Sequence, residues 1–224
     1  MGKTVETNLV DLLSSKRLSS YKYDVNDTDV IALERYLYNI ELSKSLYPLL
    51  SILEISLRNR LNNAIDTVIQ ENWLVKELNQ QNILLPNEHK KLLEAKQKLL
   101  NKSHRNIGKD DLIAELSLGF WIHLCTKRYK TLLWHRQGFF RIVFADYPNF
   151  SEFDKLSKVF PTLNLMLKLR NRIFHHEIII NHPYGIDNCY RDLKKLLSYI
   201  SKDSLLYLDK VCDFNKVITK QKPQ

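Results

Sequence analysis

A chain of 224 residues suits one globular domain, and an apolar content of 44% supports a real core and excludes wholesale disorder. Only 5 glycines and 6 prolines leave few turns, which argues against a phosphate-cradling glycine loop and favours long helices. Lysine and arginine total 34 against 25 aspartates and glutamates, a net charge of +9 that favours a polyanionic partner without specifying a fold.

The opening MGKTVETNLVDLL has no apolar stretch of a secretory signal, and Glu6 stands where a myristoylation signal has Ser or Thr. Residues 1–25 read as an N-terminal arm. Asn26, Asp27 and Thr28 offer N-caps for a helix running over 31–47. Pro48 predicts the first turn of a second helix, because proline is tolerated there and not inside. That helix carries Leu53, Leu57, Leu61, Ile65 and Val68 in steps of three and four, with Glu54, Arg58 and Asn62 as a polar stripe.

A loop over 72–86 precedes a basic amphipathic helix over 88–100 with Lys90, Lys91, Lys96 and Lys98. A turn at 106–109 leads to a helix over 110–124, whose Asp110 and Asp111 suit the positive end of the helix dipole. Residues 128–147 mix aromatic and basic side chains up to Pro148. At this spacing the aromatics read as core, with stacking on unpaired bases as the alternative. Helices follow over 151–160 and, after Pro161, over 162–177, and two more over 187–200 and 204–214.

No strand pair and no bilayer-length apolar run occur. The prediction is a single all-α domain, 1–224, of about eight helices. Cys125, Cys189 and Cys212 are far apart and lack C-x-x-C spacing, so neither a disulfide framework nor a zinc site follows, and a cytoplasmic location is expected. His89, His104, His123, His135 and His182 also lack ligand spacing, and no metal or cofactor is expected.

The densest cluster of reactive side chains is Leu169-Arg170-Asn171-Arg172-Ile173-Phe174-His175-His176-Glu177. On a helix Asn171 and His175 share a face, whereas Arg170 falls among Leu163, Met166, Ile173 and Phe174. An arginine on an apolar stripe must pair with a carboxylate, snorkel, or face a cleft or interface, because desolvating it alone costs several kcal/mol. Histidine can take the proton of a ribose 2′-OH or supply one to the leaving 5′-oxygen. Arginine offers a fixed fork to phosphate oxygens, and Asn171 can orient the imidazole or hold the phosphate. The competing structural reading is a helix end whose histidines are favoured by the dipole.

Arg58 lies in Leu57-Arg58-Asn59-Arg60-Leu61, a near repeat of the later segment, but Asn63 and Ala64 stand where a histidine would be needed. That segment therefore reads as non-catalytic, with Glu54 and Arg58 as an ion pair and RNA contact second. Arg172, Arg58, Lys90 and Lys91 are the secondary candidates for RNA contact.

These segments together resemble the bacterial Abi-like (abortive infection) family of the HEPN superfamily, which is marked by R-x(4–6)-H with a polar residue after the arginine. Arg170, Asn171 and His175 fit that pattern, with His176 one step further. The likeness extends to residues 32–65 and Trp73, to IAELSLGFWIHL and Trp134, and to LRNRIFHHEII, in the expected order. The resemblance implies a HEPN-like helical bundle, here with additional N- and C-terminal helices, and a homodimer. It also implies metal-independent RNA cleavage in phage defence or as the toxin of a toxin–antitoxin pair, with Arg170, Asn171, His175 and His176 at the site. RNA and an RNA or protein antitoxin are the implied partners, with no membrane. The alternative is a non-catalytic RNA- or protein-binding helical module.

Overall fold

The computed structural model describes residues 5–102, 107–152 and 154–220. The expected turn residue Asn106, His104, Gly2 and Phe153 lie outside them. Among the described residues every regular element is helical, so the chain is all-α. None of these helices is long and apolar enough to cross a membrane.

The scaffold is α3, Asp29–Val68, a helix of 40 residues. Thr28 caps it by accepting the Ile31 amide at 3.2 Å. Asp27, offered as a cap by the sequence, instead binds the buried Arg35, whose Nη1 lies 2.5 Å from Asp27 Oδ2. Leu53, Leu57, Leu61 and Ile65 are fully buried, as their spacing required.

Pro48 does not start a helix; it sits inside α3. Proline there leaves the Lys44 carbonyl without its helical donor and costs about 3 kcal/mol. The cost is offset because Leu46, Leu49, Leu50 and Leu53, on both sides of it, are buried in one core. The adjacent Ser45 carbonyl accepts the Cys212 thiol at 3.4 Å. Pro161 likewise lies within a helix, α9 (Lys155–Phe174), so the two predicted pieces are one.

Around α3 pack α1 (Val5–Leu13), α2 (Ser15–Ser19), α7 (Leu118–His123), α8 (Phe139–Val143), α10 (Ile186–Ile200) and α12 (Phe214–Ile218). Between these lie α4 (Trp73–Asn79), α5 (Pro86–Lys102), α6 (Lys109–Glu115) and α11 (Lys202–Leu208). The expected loop over 72–86 thus contains α4. Trp73 opens that helix, fully buried, with its indole N–H donating to Asn62 Oδ1 at 2.9 Å. The buried Glu77 carboxylate then accepts the amides of Asn82, Ile83 and Leu84, giving the following loop its missing partners.

The predicted helix over 110–124 is two helices, because Leu116 is extended and Ser117 recaps the chain at Phe120. The closing stretch also breaks, into α11 and α12. Residues 127–134 wind as one 3-10 turn and one π turn. Tyr129, Trp134, Phe139 and Phe140 there are buried, the core reading of their pattern.

Candidate functional site

α9 ends where the reactive cluster lies. His175 is its cap residue and still donates to the Asn171 carbonyl at 2.9 Å, so it closes the last helical bond. His176 then turns left-handed, with φ 56°. Its amide bonds the Ile173 carbonyl at 3.1 Å, and the Glu177 amide bonds the Arg172 carbonyl at 2.8 Å. This is a Schellman ending with histidine at the position that normally takes glycine. His176 is therefore not one more step along the helix, as its sequence position suggested.

Three side chains fix this turn. Arg17 of α2 donates through Nη2 to the His176 carbonyl, which ties the N-terminal arm to the motif. The buried Asn39 of α3 accepts the amides of Ile179 and Ile180 at 2.8 and 3.3 Å and donates to the Glu177 carbonyl at 3.2 Å. Arg172 closes on Glu177 at 3.6 Å and donates to the Ile178 carbonyl. That is a structural use for an arginine that the sequence offers as an RNA contact.

Arg170 faces α3. Its Nε lies 3.3 Å from Glu54 Oε2, and its guanidinium stacks on the Phe174 ring at 4.2 Å. Both ionic side chains are about a quarter exposed, so the pair sits at the mouth of a cleft. The cleft is walled by Tyr47, Ile55, Arg58 and Phe174. The Arg58 Nε is shielded from solvent and has no hydrogen-bond partner among the described residues. Glu54 thus pairs across helices with Arg170, and the two LRNR segments contribute one arginine each to a cleft with a single carboxylate. Such a site has an excess positive charge, which suits a phosphate group.

The histidines stand apart from that cleft. His175 and Asn171 are exposed on another side of α9, five and one residues from Arg170. Five residues correspond to about 140° around the helix, so one chain does not aim Arg170 and His175 into the same space. His176 instead borders a larger cavity of about 960 Å³ between α3, the end of α9 and α12. Tyr47 and Phe174, with ring centroids 6.0 Å apart, form the wall common to the cavity and the cleft.

Lys90 and Lys91 are elsewhere, on α5, which packs on α4, α6 and α7. Among the described residues no group of three or more His, Cys, Asp or Glu side chains could hold a metal ion. His182 meets Cys189 Sγ at 3.5 Å, but burial raises that thiol to about 11, so it stays protonated and inert near neutrality.

Sequence reading missed Asn39, Arg17 and Tyr47. Asn39 had a signal: a polar residue among Arg35, Leu42, Leu46 and Leu49 on the core side of a helix must find partners there. Arg17 and Tyr47 had none, since their roles depend on how distant helices meet. No family model matches the chain, and neither a curated protein nor a solved structure matches it.

Proposed function

We propose that the chain is a metal-independent endoribonuclease of the Abi-like, HEPN type, active as a homodimer. Its role would be that of a phage-defence effector, or of a toxin held by an RNA or protein antitoxin. The observation that carries the reading is the Arg170–Arg58 cleft beside a clamped helix end that exposes His175 and His176. The likeness of segments to the Abi-like family supports it further.

In the reaction, the Arg170 fork binds the non-bridging oxygens of the scissile phosphate. Glu54 holds Nε, which leaves the Nη donors for substrate. One imidazole takes the 2′-OH proton, the 2′-oxygen attacks phosphorus as the bond to the 5′-oxygen breaks, and the 5′-oxygen takes a proton from water, which the imidazolium then replaces. The products are a 2′,3′-cyclic phosphate and a 5′-hydroxyl. Because Arg170 and His175 diverge around α9, a two-fold axis beside this helix supplies the missing half: His175 of a second copy enters the cleft of the first. Exposed Tyr47, Ile55 and Phe174 border the cleft and Ile40 borders the adjoining cavity, which gives such a contact its apolar surface.

The test is cleavage of single-stranded RNA in EDTA by the wild type and by Arg170→Ala and His175→Ala. Cleavage with 2′,3′-cyclic ends, lost in both variants by at least about 100-fold, supports the reading. Strict magnesium dependence with 5′-phosphate ends overturns it. One observation favours a second reading, a non-catalytic RNA-binding module: Arg170 is already engaged by Glu54 and Phe174. RNA binding without any cleavage, and expression without growth arrest, would support that module instead.

A further inference from the structure

The net charge of +9 is unevenly answered across the surface. On α5, the basic helix, Lys98 and Lys102 lie 2.8 and 2.9 Å from the Glu115 carboxylate, and Lys90 pairs with Glu94 at 3.9 Å. The stretch from Leu116 to Ala145 is different, because it contains no Asp or Glu at all. It carries Lys127, Arg128, Lys130, Arg136 and Arg141, and of these Lys130 pairs with Asp154 at 3.0 Å. Lys127, Arg128, Arg136 and Arg141 are exposed, and among the described residues none has a carboxylate within 4 Å. The exposed His135 lies between them in sequence.

The backbone under these cations is held firmly. Lys130 is tied to Asp154, the residue before α9. Arg141 lies 4.5 Å over Phe150, and Lys155 lies 5.5 Å over Phe140. Beneath them the aromatic rings of Tyr129, Trp134, Phe139 and Phe140 are buried, and the partly buried Phe150 ring lies under Arg141, so the surface offers chiefly charge. Leu132, 36% exposed, is the one large apolar side chain at this face among the described residues. Protein interfaces centre on buried aromatic and aliphatic anchors, and membrane-surface helices need an apolar face. This face has neither.

We propose that the exposed face of residues 127–141 is a docking surface for a nucleic-acid phosphate backbone, gripped by charge without reading base sequence. Phosphate contacts of this kind position a strand and steer its approach. With Asp154 at the head of α9 and Arg170 16 residues on, the face lies about 24 Å along the helix from the cleft. That RNA is the strand docked there rests on the ribonuclease reading; the grip on phosphates does not.

The experiment measures binding of a 2′-O-methyl oligoribonucleotide by fluorescence anisotropy across a salt series. Four phosphate contacts on a single strand correspond to a slope of about 3 in log K against log salt. Lys127→Ala/Arg128→Ala/Arg136→Ala/Arg141→Ala is expected to lose most of that slope and to bind at least tenfold more weakly near 100 mM salt. The triple variant that keeps Arg141, and with it the Phe150 contact, should lose about 2 units of slope, so a folding defect cannot imitate the result. Lys98→Ala/Lys102→Ala removes charge from α5 and is the control. An unchanged slope in the quadruple variant, or an equal loss in the control, overturns the proposal. So does binding to phosphatidylserine vesicles without binding to the oligonucleotide. Loss of slope in a protein whose wild type never cleaves RNA supports the docking surface and removes the ribonuclease reading. Cleavage abolished by His175→Ala with patch variants binding normally does the reverse.

Discussion

Asn39 Oδ1 accepts the amide of Ile179 at 2.8 Å, joining the N-terminal third of α3 to the turn that follows α9. The same oxygen takes the Ile180 amide, and the side-chain N–H₂ donates to the Glu177 carbonyl. Asn39→Ala leaves two buried amides without acceptors, at roughly 2–3 kcal/mol. The expected result in denaturant unfolding is a loss of that size. RNA cleavage should fall as well, although Asn39 touches no substrate, because the turn displaying His176 loses its clamp. An unchanged unfolding midpoint would show that the turn is held by other means.

The left-handed His176 gives an opposite expectation for stability. A non-glycine residue at this position costs about 1 kcal/mol, which His176→Gly recovers. That corresponds to a Tm higher by roughly 2–4 °C for a chain of this size. Cleavage by this variant should exceed that of His175→Ala, since His175 is the better match to the R-x4-H spacing. A more stable protein that is as inactive as His175→Ala would make His176 the acid–base group.

The long-range clamps explain how far the sequence could be read. Helical content followed from periodicity, since the stripe of Leu53, Leu57, Leu61 and Ile65 is local information. Pro48 and Pro161 misled because proline's cost is local, whereas the burial that outweighs it comes from distant helices. The reactive cluster was legible as a string of residue types. Its geometry was not: the αL turn at His176 and the pairing of Arg170 with Glu54, 116 residues away, depend on the contact of α9 with α3.

Acid stability offers a separate check, on Asp27. The Arg35 guanidinium, and then the amides of Asp24 and Tyr23, hold its carboxyl well below the usual range. A carboxyl with a depressed folded pKa stabilises the fold fully above its unfolded pKa, and that contribution is lost as pH falls toward the folded value. Wild type should therefore exceed Asp27→Asn in stability at neutral pH, with the gap shrinking below about pH 4. Urea unfolding across that range measures it, and a gap that widened in acid would contradict the assignment.

The shared-cleft dimer has the most specific consequence. Arg170 and His175 lie about 140° apart on α9, so in the proposed dimer each complete site takes Arg170 from one copy and His175 from the other. Ile55 is exposed beside the cleft and Ile40 beside the adjoining cavity, so Ile40→Lys or Ile55→Lys should leave the fold intact. Each should still place two like charges against an apolar contact, giving an inactive monomer by light scattering. Mixing offers the sharper measurement. Arg170→Ala and His175→Ala are each inactive alone, yet a heterodimer of the two contains one cleft with both wild-type residues. After random exchange half the dimers are mixed and each has one working site of two, so about a quarter of wild-type activity should return. If instead a single chain supplied both residues to its own cleft, every site in the mixture would lack one of them. No activity would then reappear at any ratio, and the shared cleft would have to be abandoned even with the motif itself intact.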